Sequence, residues 1–247
     1  MVKNILVIAD LGAAGNLVKN LLWLSPDVDW PLVKDRYTSV LNQYSPGTKF
    51  SEWLEKEAKF RLWKYHYGID LSYDLNYDEF VKSFKQKNLP AVFLNHSAFY
   101  QQEQLTKFLN NFTVLYVRPT TDFGFEWQIR SYCEKKNVED LHNFSFDIDI
   151  EENKKKYIAD HGLDQYYRFN LNNMRHMLRS RQEKMNLLVK NTIPLEDLLF
   201  ASAKRIADYL PVAVDTDILN HTVQAWRNLH WPLDSTLDWK YSYDRNS

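Results

Sequence analysis

Three places in the chain carry residue types that could together do chemistry on an anion. The stretch Asp10-Leu11-Gly12-Ala13-Ala14-Gly15-Asn16 brings two of the chain's six glycines close together. Glycine tolerates positive φ and lets a ligand approach the backbone closely. A helix starting there would offer the N–H groups of Gly15, Asn16 and Leu17 to an anion, and its macrodipole would favour the negative charge. Asn16 would either cap that helix or touch a phosphate oxygen. His96, in "LNHSAF", is the side-chain type whose pKa best suits a general base near neutrality. Arg118, in "YVRPTTD", could hold a phosphate bidentately, or could simply pair with Asp122 as a strand-end arginine. For the loop alone, a plain strand-to-helix turn and an anion cradle are equally supported. Neither the G-x-x-x-x-G-K-[ST] pattern nor the three-glycine dinucleotide pattern is present.

The elements that must position these residues are read from periodicity. Asn4 to Ala9 is a short β-branched run without polar alternation, the signature of a strand buried on both faces. Asn16 to Leu24 follows as a helix stopped near Ser25-Pro26. Pro90 to Asn95 and Phe112 to Arg118 read as further buried strands, each followed by a helix, Ala98 to Asn110 and Asp122 to Lys136. Strand–helix pairs in succession indicate a parallel sheet with right-handed crossovers. The glycine loop, His96 and Arg118 then all fall at the carboxyl edge of one sheet, where open α/β sheets bind ligands. A long basic helix is expected over Asp164 to Lys190, with its arginines solvated or one or two turned toward an anion. An edge strand at about Asn191 leads into a helix to about Tyr209, and a last helix spans Asp217 to Leu229. Helices are also expected at Ser51 to Trp63 and Tyr77 to Lys87, and Asp147 to Asn153 reads as a loop entering a helix.

Composition bounds what this sheet can serve. Hydrophobic residues make up 45% and aromatics 15% of 247 residues, enough for a buried core. With 31 basic against 32 acidic residues, the chain is no bulk polyanion coat, so nucleic acid is not an expected partner. One cysteine, Cys133, allows neither an internal disulfide nor a thiolate metal site. The apolar run at Ile5 to Ala9 is too short for a secretory core, and no segment approaches a membrane-spanning length. The expected location is therefore cytoplasmic, with no metal. Lacking repeats and Gly/Ser-rich linkers, residues 1–247 read as a single domain with an aromatic-rich helical insertion at about 30–87. Those aromatics serve core or subunit packing, which leaves a homodimer open, or wall a ligand pocket.

In this order the segments resemble the P-loop sulfotransferase family. The likeness is carried by "FLNHSAFYQQEQLTKFLNNFTVLYVRPTTD", then by "IPLEDLLFASAKRIADYL" and, near the end, "LDWKYSYD". The resemblance implies an α/β fold with a P-loop-type parallel sheet flanked by helices in three α/β/α layers. It implies 3'-phosphoadenosine-5'-phosphosulfate (PAPS) as sulfuryl donor and adenosine 3',5'-bisphosphate (PAP) as product. A small molecule or carbohydrate would be the acceptor. Gly12, Gly15, Asn16 and Leu17 would hold the 5'-phosphosulfate, and His96 would take the acceptor hydroxyl proton. Arg118 and a serine, Ser131 here, would hold the 3'-phosphate; Glu126 stands at that serine's usual spacing. Ala13-Ala14-Gly15-Asn16 replaces the family's Lys/Arg-Ser-Gly-Thr, and Lys19, a turn into the helix, either supplies the absent cation or faces solvent. This departure implies an alternative from another class: a degenerate member that binds an anionic ligand or a protein partner without transfer. A nucleotide kinase is disfavoured, because its Lys-[ST] pair is missing.

Overall fold

Four parallel strands in the order β2-β1-β3-β4 form the centre of the molecule. The computed structural model describes residues 3–10, 12–30, 35–42, 44, 77–78, 81, 88–95, 102–135, 156 and 158–230. The expected helix at 51–63, most of that at 77–87, the segment 147–153 and the aromatic tail lie outside the described residues.

Strand β1 (Ile5–Ala9) is buried at every position, as a strand covered on both faces must be. It leads to α1 (Gly15–Trp23) and α2 (Arg36–Asn42). Then come β2 (Val92–Asn95), α3 (Gln102–Asn111), β3 (Thr113–Arg118) and α4 (Asp122–Lys135). The long α5 (Leu163–Leu188) precedes β4 (Thr192–Pro194), α6 (Leu195–Phe200), α7 (Ala203–Ala207) and α8 (Thr216–His230). The strands pair in register, Ile5 with both Val92 and Thr113, and Tyr116 with Thr192.

Alternation along the strands divides the core into two layers. Ile5, Val7 and Ala9 point toward α1, α6, α7 and α8, packing with Leu17, Leu21, Leu198, Ile206 and Trp226. Leu6 and Ile8 point the other way, with Phe93, Val114 and Tyr116, against Leu105 and Phe108 of α3 and Met185 of α5. Helices therefore cover both faces of the sheet, an α/β architecture with the core split by the sheet.

One expected helix is in fact two. The segment after β4 breaks at Ala201–Ser202, between α6 and α7. Ser202 caps the new helix, its Oγ accepting the Arg205 N–H at 3.3 Å. From α8, Arg227 donates to the carbonyls of Leu198 (3.0 Å) and Ala201 (2.7 Å). A guanidinium thus satisfies carbonyls that the terminating α6 leaves open.

Candidate functional site

The strand order reverses direction at β1. From β1 the chain moves to β2 on one side, whereas from β3 it moves to β4 on the other. The crevice between β1 and β3, at their carboxyl ends, is the topological switch point where ligands of open α/β sheets bind. The register pairs Ala9 with Val117, which brings Asp10 level with Arg118.

The β1–α1 turn is tighter than its glycines alone foretell. Asp10 accepts the Ala13 N–H at 3.0 Å. Positive φ occurs at Gly12 (82°) and at Ala14 (60°), whereas Gly15 starts the helix. An alanine in the left-handed region costs about 1 kcal/mol. Ala14 is the N-cap and supplies no side-chain cap, so Asn16 does not cap the helix. The first intrahelical bond runs from Val18 to Ala14, leaving the N–H groups of Gly15, Asn16 and Leu17 ahead of it.

Asn16 is instead tied to Lys19, whose Nζ donates to Asn16 Oδ1 at 3.1 Å. Lys19 does not face solvent; it is only 5% exposed. Its amine lies 4.7 Å from the centre of the Trp23 ring. Burial pulls its pKa down from 10.5 to about 7, because removing the ammonium from water penalises the charged form.

On the opposite face of the sheet sits a network that no sequence motif announces. Asp10 ends an otherwise apolar strand and is 6% exposed. The Tyr116 hydroxyl donates to its Oδ2 at 3.2 Å, and Arg181 of α5 places Nη1 at 3.8 Å from Oδ1. Burial raises the Asp10 pKa from 3.8 to about 6, against the opposing pull of Arg181 and the Tyr116 hydrogen bond. The Tyr116 phenol is itself pushed well up, by burial first and then by the Asp10 charge. Arg118 lies two residues beyond Tyr116 on the same face, and its buried Nε has no hydrogen-bond partner among the described residues. It does not pair with Asp122: that carboxylate is fully exposed, with Arg179 at 3.9 Å.

The turn after Arg118 is occupied by a carboxylate of the protein itself. Glu196 of α6 accepts the N–H groups of Thr120 (3.0 Å) and Thr121 (2.8 Å) and both threonine hydroxyls. Burial alone would raise its pKa, but these hydrogen bonds outweigh it and hold Glu196 below the usual value. Thr121 Oγ1 in turn caps α4 through the Gly124 N–H at 3.1 Å. Gly124 makes room for this arrangement, since a Cβ there would lie 2.0 Å from Glu196 Oε1. One turn on, Glu126 takes a two-pronged ion pair from Arg175, both contacts 3.2 Å. Ser131 is buried, nine residues into α4 from Asp122. At about 1.5 Å rise per residue that is roughly 13 Å along the helix.

His96, one position after the end of β2, lies outside the described residues. Among the described residues, no group of three His, Cys, Asp or Glu side chains could hold a metal ion, and no helix is long and apolar enough to cross a membrane. Fold and site thus define an α/β protein in which the β1–α1 turn and the Arg118 end of β3 lie side by side at the switch point of a parallel sheet. Comparison with models of known families, with curated proteins and with solved structures finds no match to this chain.

Proposed function

We propose that the protein is a sulfotransferase that moves a sulfuryl group from PAPS to a hydroxyl of a small-molecule or carbohydrate acceptor. The observation that carries this reading is the sheet order. It sets the Gly12–Asn16 turn on the central β1, between the strand that leads into His96 and the strand that ends in Arg118. In the proposed reaction the N–H groups of Gly15, Asn16 and Leu17 hold the 5'-phosphosulfate, and Arg118 holds the 3'-phosphate. His96 takes the proton of the acceptor hydroxyl as its oxygen bonds to sulfur. The bond from sulfur to the bridging phosphate oxygen breaks in line, and PAP leaves. Such a transfer relies on positioning and on electrostatic stabilisation of the departing charge. Lys19 is the nearest amine to the loop in sequence.

A second reading rests on a specific feature: Ala13 and Ala14 stand where a transferring loop carries its cation. On that reading the crevice binds an anionic ligand or a protein partner without transfer. Calorimetric titration with PAP, paired with a turnover assay using PAPS, separates the two. Binding with turnover, lost in His96→Ala while the far-ultraviolet spectrum is unchanged, supports the enzyme. Binding without turnover supports the second reading, and absence of PAP binding refutes both as nucleotide-based accounts.

A further inference from the structure

Two guanidinium groups and one carboxylate share the inner side of the crevice, and their arrangement says more than the nucleotide reading requires. Asp10, Tyr116 and Arg118 lie on one face of the sheet by strand alternation, and Arg181 reaches that face from α5. Arg181 is 17% exposed in its side chain and Asp10 7%, so their contact is largely removed from water. At 3.8 Å the contact is long for a charge-assisted hydrogen bond, which closes to about 2.8 Å. Arg118 adds a second positive charge with an unpartnered Nε. The cluster carries surplus positive charge, tempered by one carboxylate whose burial already penalises its ionised form.

We propose that Arg181 is a second anion-holding residue of this crevice, and that Asp10 is its internal counter-ion, displaced when an oxyanion takes its place. This rests on the crevice being the anion site described above. A dianion between Arg118 and Arg181 removes Asp10's compensating charge and adds repulsion, so the carboxylate takes up a proton from solvent. The Tyr116 hydroxyl stays in hydrogen-bond reach of the neutral acid. Among the described residues, the charged or titratable groups acting on Asp10 are Arg181 of α5 and Tyr116 of β3, and Arg118 acts in turn on Tyr116. Asn95 on β2 carries no charge, and Lys19 of α1 packs on the other side of the sheet.

Anion binding then consumes a proton, and with Asp10 titrating at about 6, affinity falls roughly tenfold between about pH 6 and about pH 7.5. Calorimetry with sodium sulfate, whose charge is constant over that range, tests this directly. The wild-type protein should show the tenfold loss, and heats in two buffers of different ionisation enthalpy should report proton uptake. Asp10→Asn should bind sulfate with little pH dependence, and Arg181→Gln should bind it at least tenfold more weakly. The buffer comparison needs no variant, so a misfolded substitution does not remove the test. Equal pH slopes in wild type and Asp10→Asn, no proton uptake, or unchanged affinity in Arg181→Gln overturns the proposal. A parallel titration with PAP separates the two levels. Sulfate binding with the expected slope but no PAP binding refutes the nucleotide and upholds the counter-ion; PAP binding with Asp10-independent slope does the reverse; binding of neither overturns both.

Discussion

Lys19→Met is the sharpest probe of the loop's surroundings, because it keeps the aliphatic stem over Trp23 and removes the amine. Burial lowers the Lys19 pKa from 10.5 to about 7. At about 1.4 kcal/mol for each pH unit, this is roughly 5 kcal/mol of preference for the neutral amine. The unfolded lysine keeps its proton up to 10.5, whereas the folded one releases it near 7. Between those values the unfolded state binds more protons, so wild-type stability climbs with pH through that window, and falls as pH drops through 7. The variant lacks this dependence. It also loses the hydrogen bond to Asn16 and the contact with the Trp23 ring, together about 2 kcal/mol at any pH where the amine is charged. Lys19→Met should therefore be about 3 kcal/mol more stable than wild type near pH 6, with the gap closing toward pH ~10. Paired urea titrations across that range measure it, since other titrating groups cancel in the difference. A gap that does not change with pH would refute the argument that the amine is held in a site that disfavours its charge.

Gly124→Ala should cost about 1 kcal/mol in urea denaturation, because its Cβ would displace the Glu196 carboxylate from four donors that water can then reach. A cost below about 0.5 kcal/mol would mean that the carboxylate is not held as described. Arg118→Lys keeps the charge but loses the two-pronged guanidinium, so PAP affinity should fall roughly tenfold by calorimetry with little change in stability; unaltered affinity would remove Arg118 from the ligand.

The strands were legible because a parallel strand buried on both faces has to be continuously apolar, and Ile5 to Ala9 and Val114 to Val117 are. Helix ends were legible where they depend on local chemistry, as at Thr121 ahead of α4. They were not where they depend on distant chain. The break at Ala201 is stabilised from α8 by Arg227, 26 residues away, and no local signal encodes that. The Arg118–Asp122 pairing fails for a related reason. Glu196 reaches across from α6 to bind the turn, and the N-terminal position of Asp122 on α4 turns it to solvent beside Arg179. Burial of Lys19 was a coin-toss from sequence, since it depends on which side of α1 faces the sheet. Asp10 was visible as the polar end of an apolar strand; its partner Arg181, 171 positions on, was one arginine among several on α5.

The charged groups around the crevice narrow what a ligand can use. Arg175 is committed to Glu126, Arg179 lies beside Asp122, and Glu196 already fills the donors of the Thr120–Thr121 turn. A ligand competing for Arg175 would have to break a paired contact in a partly dry setting, where separation of charges is expensive. Arg118 and the amides ahead of the first α1 bond are under no such commitment among the described residues. Among the described residues, Arg181 is held only by a long contact to a carboxylate that is near its own titration point. An anion should therefore enter between the α1 turn and β3 rather than over α4, and the cheapest contact for it to exchange is the one between Arg181 and Asp10.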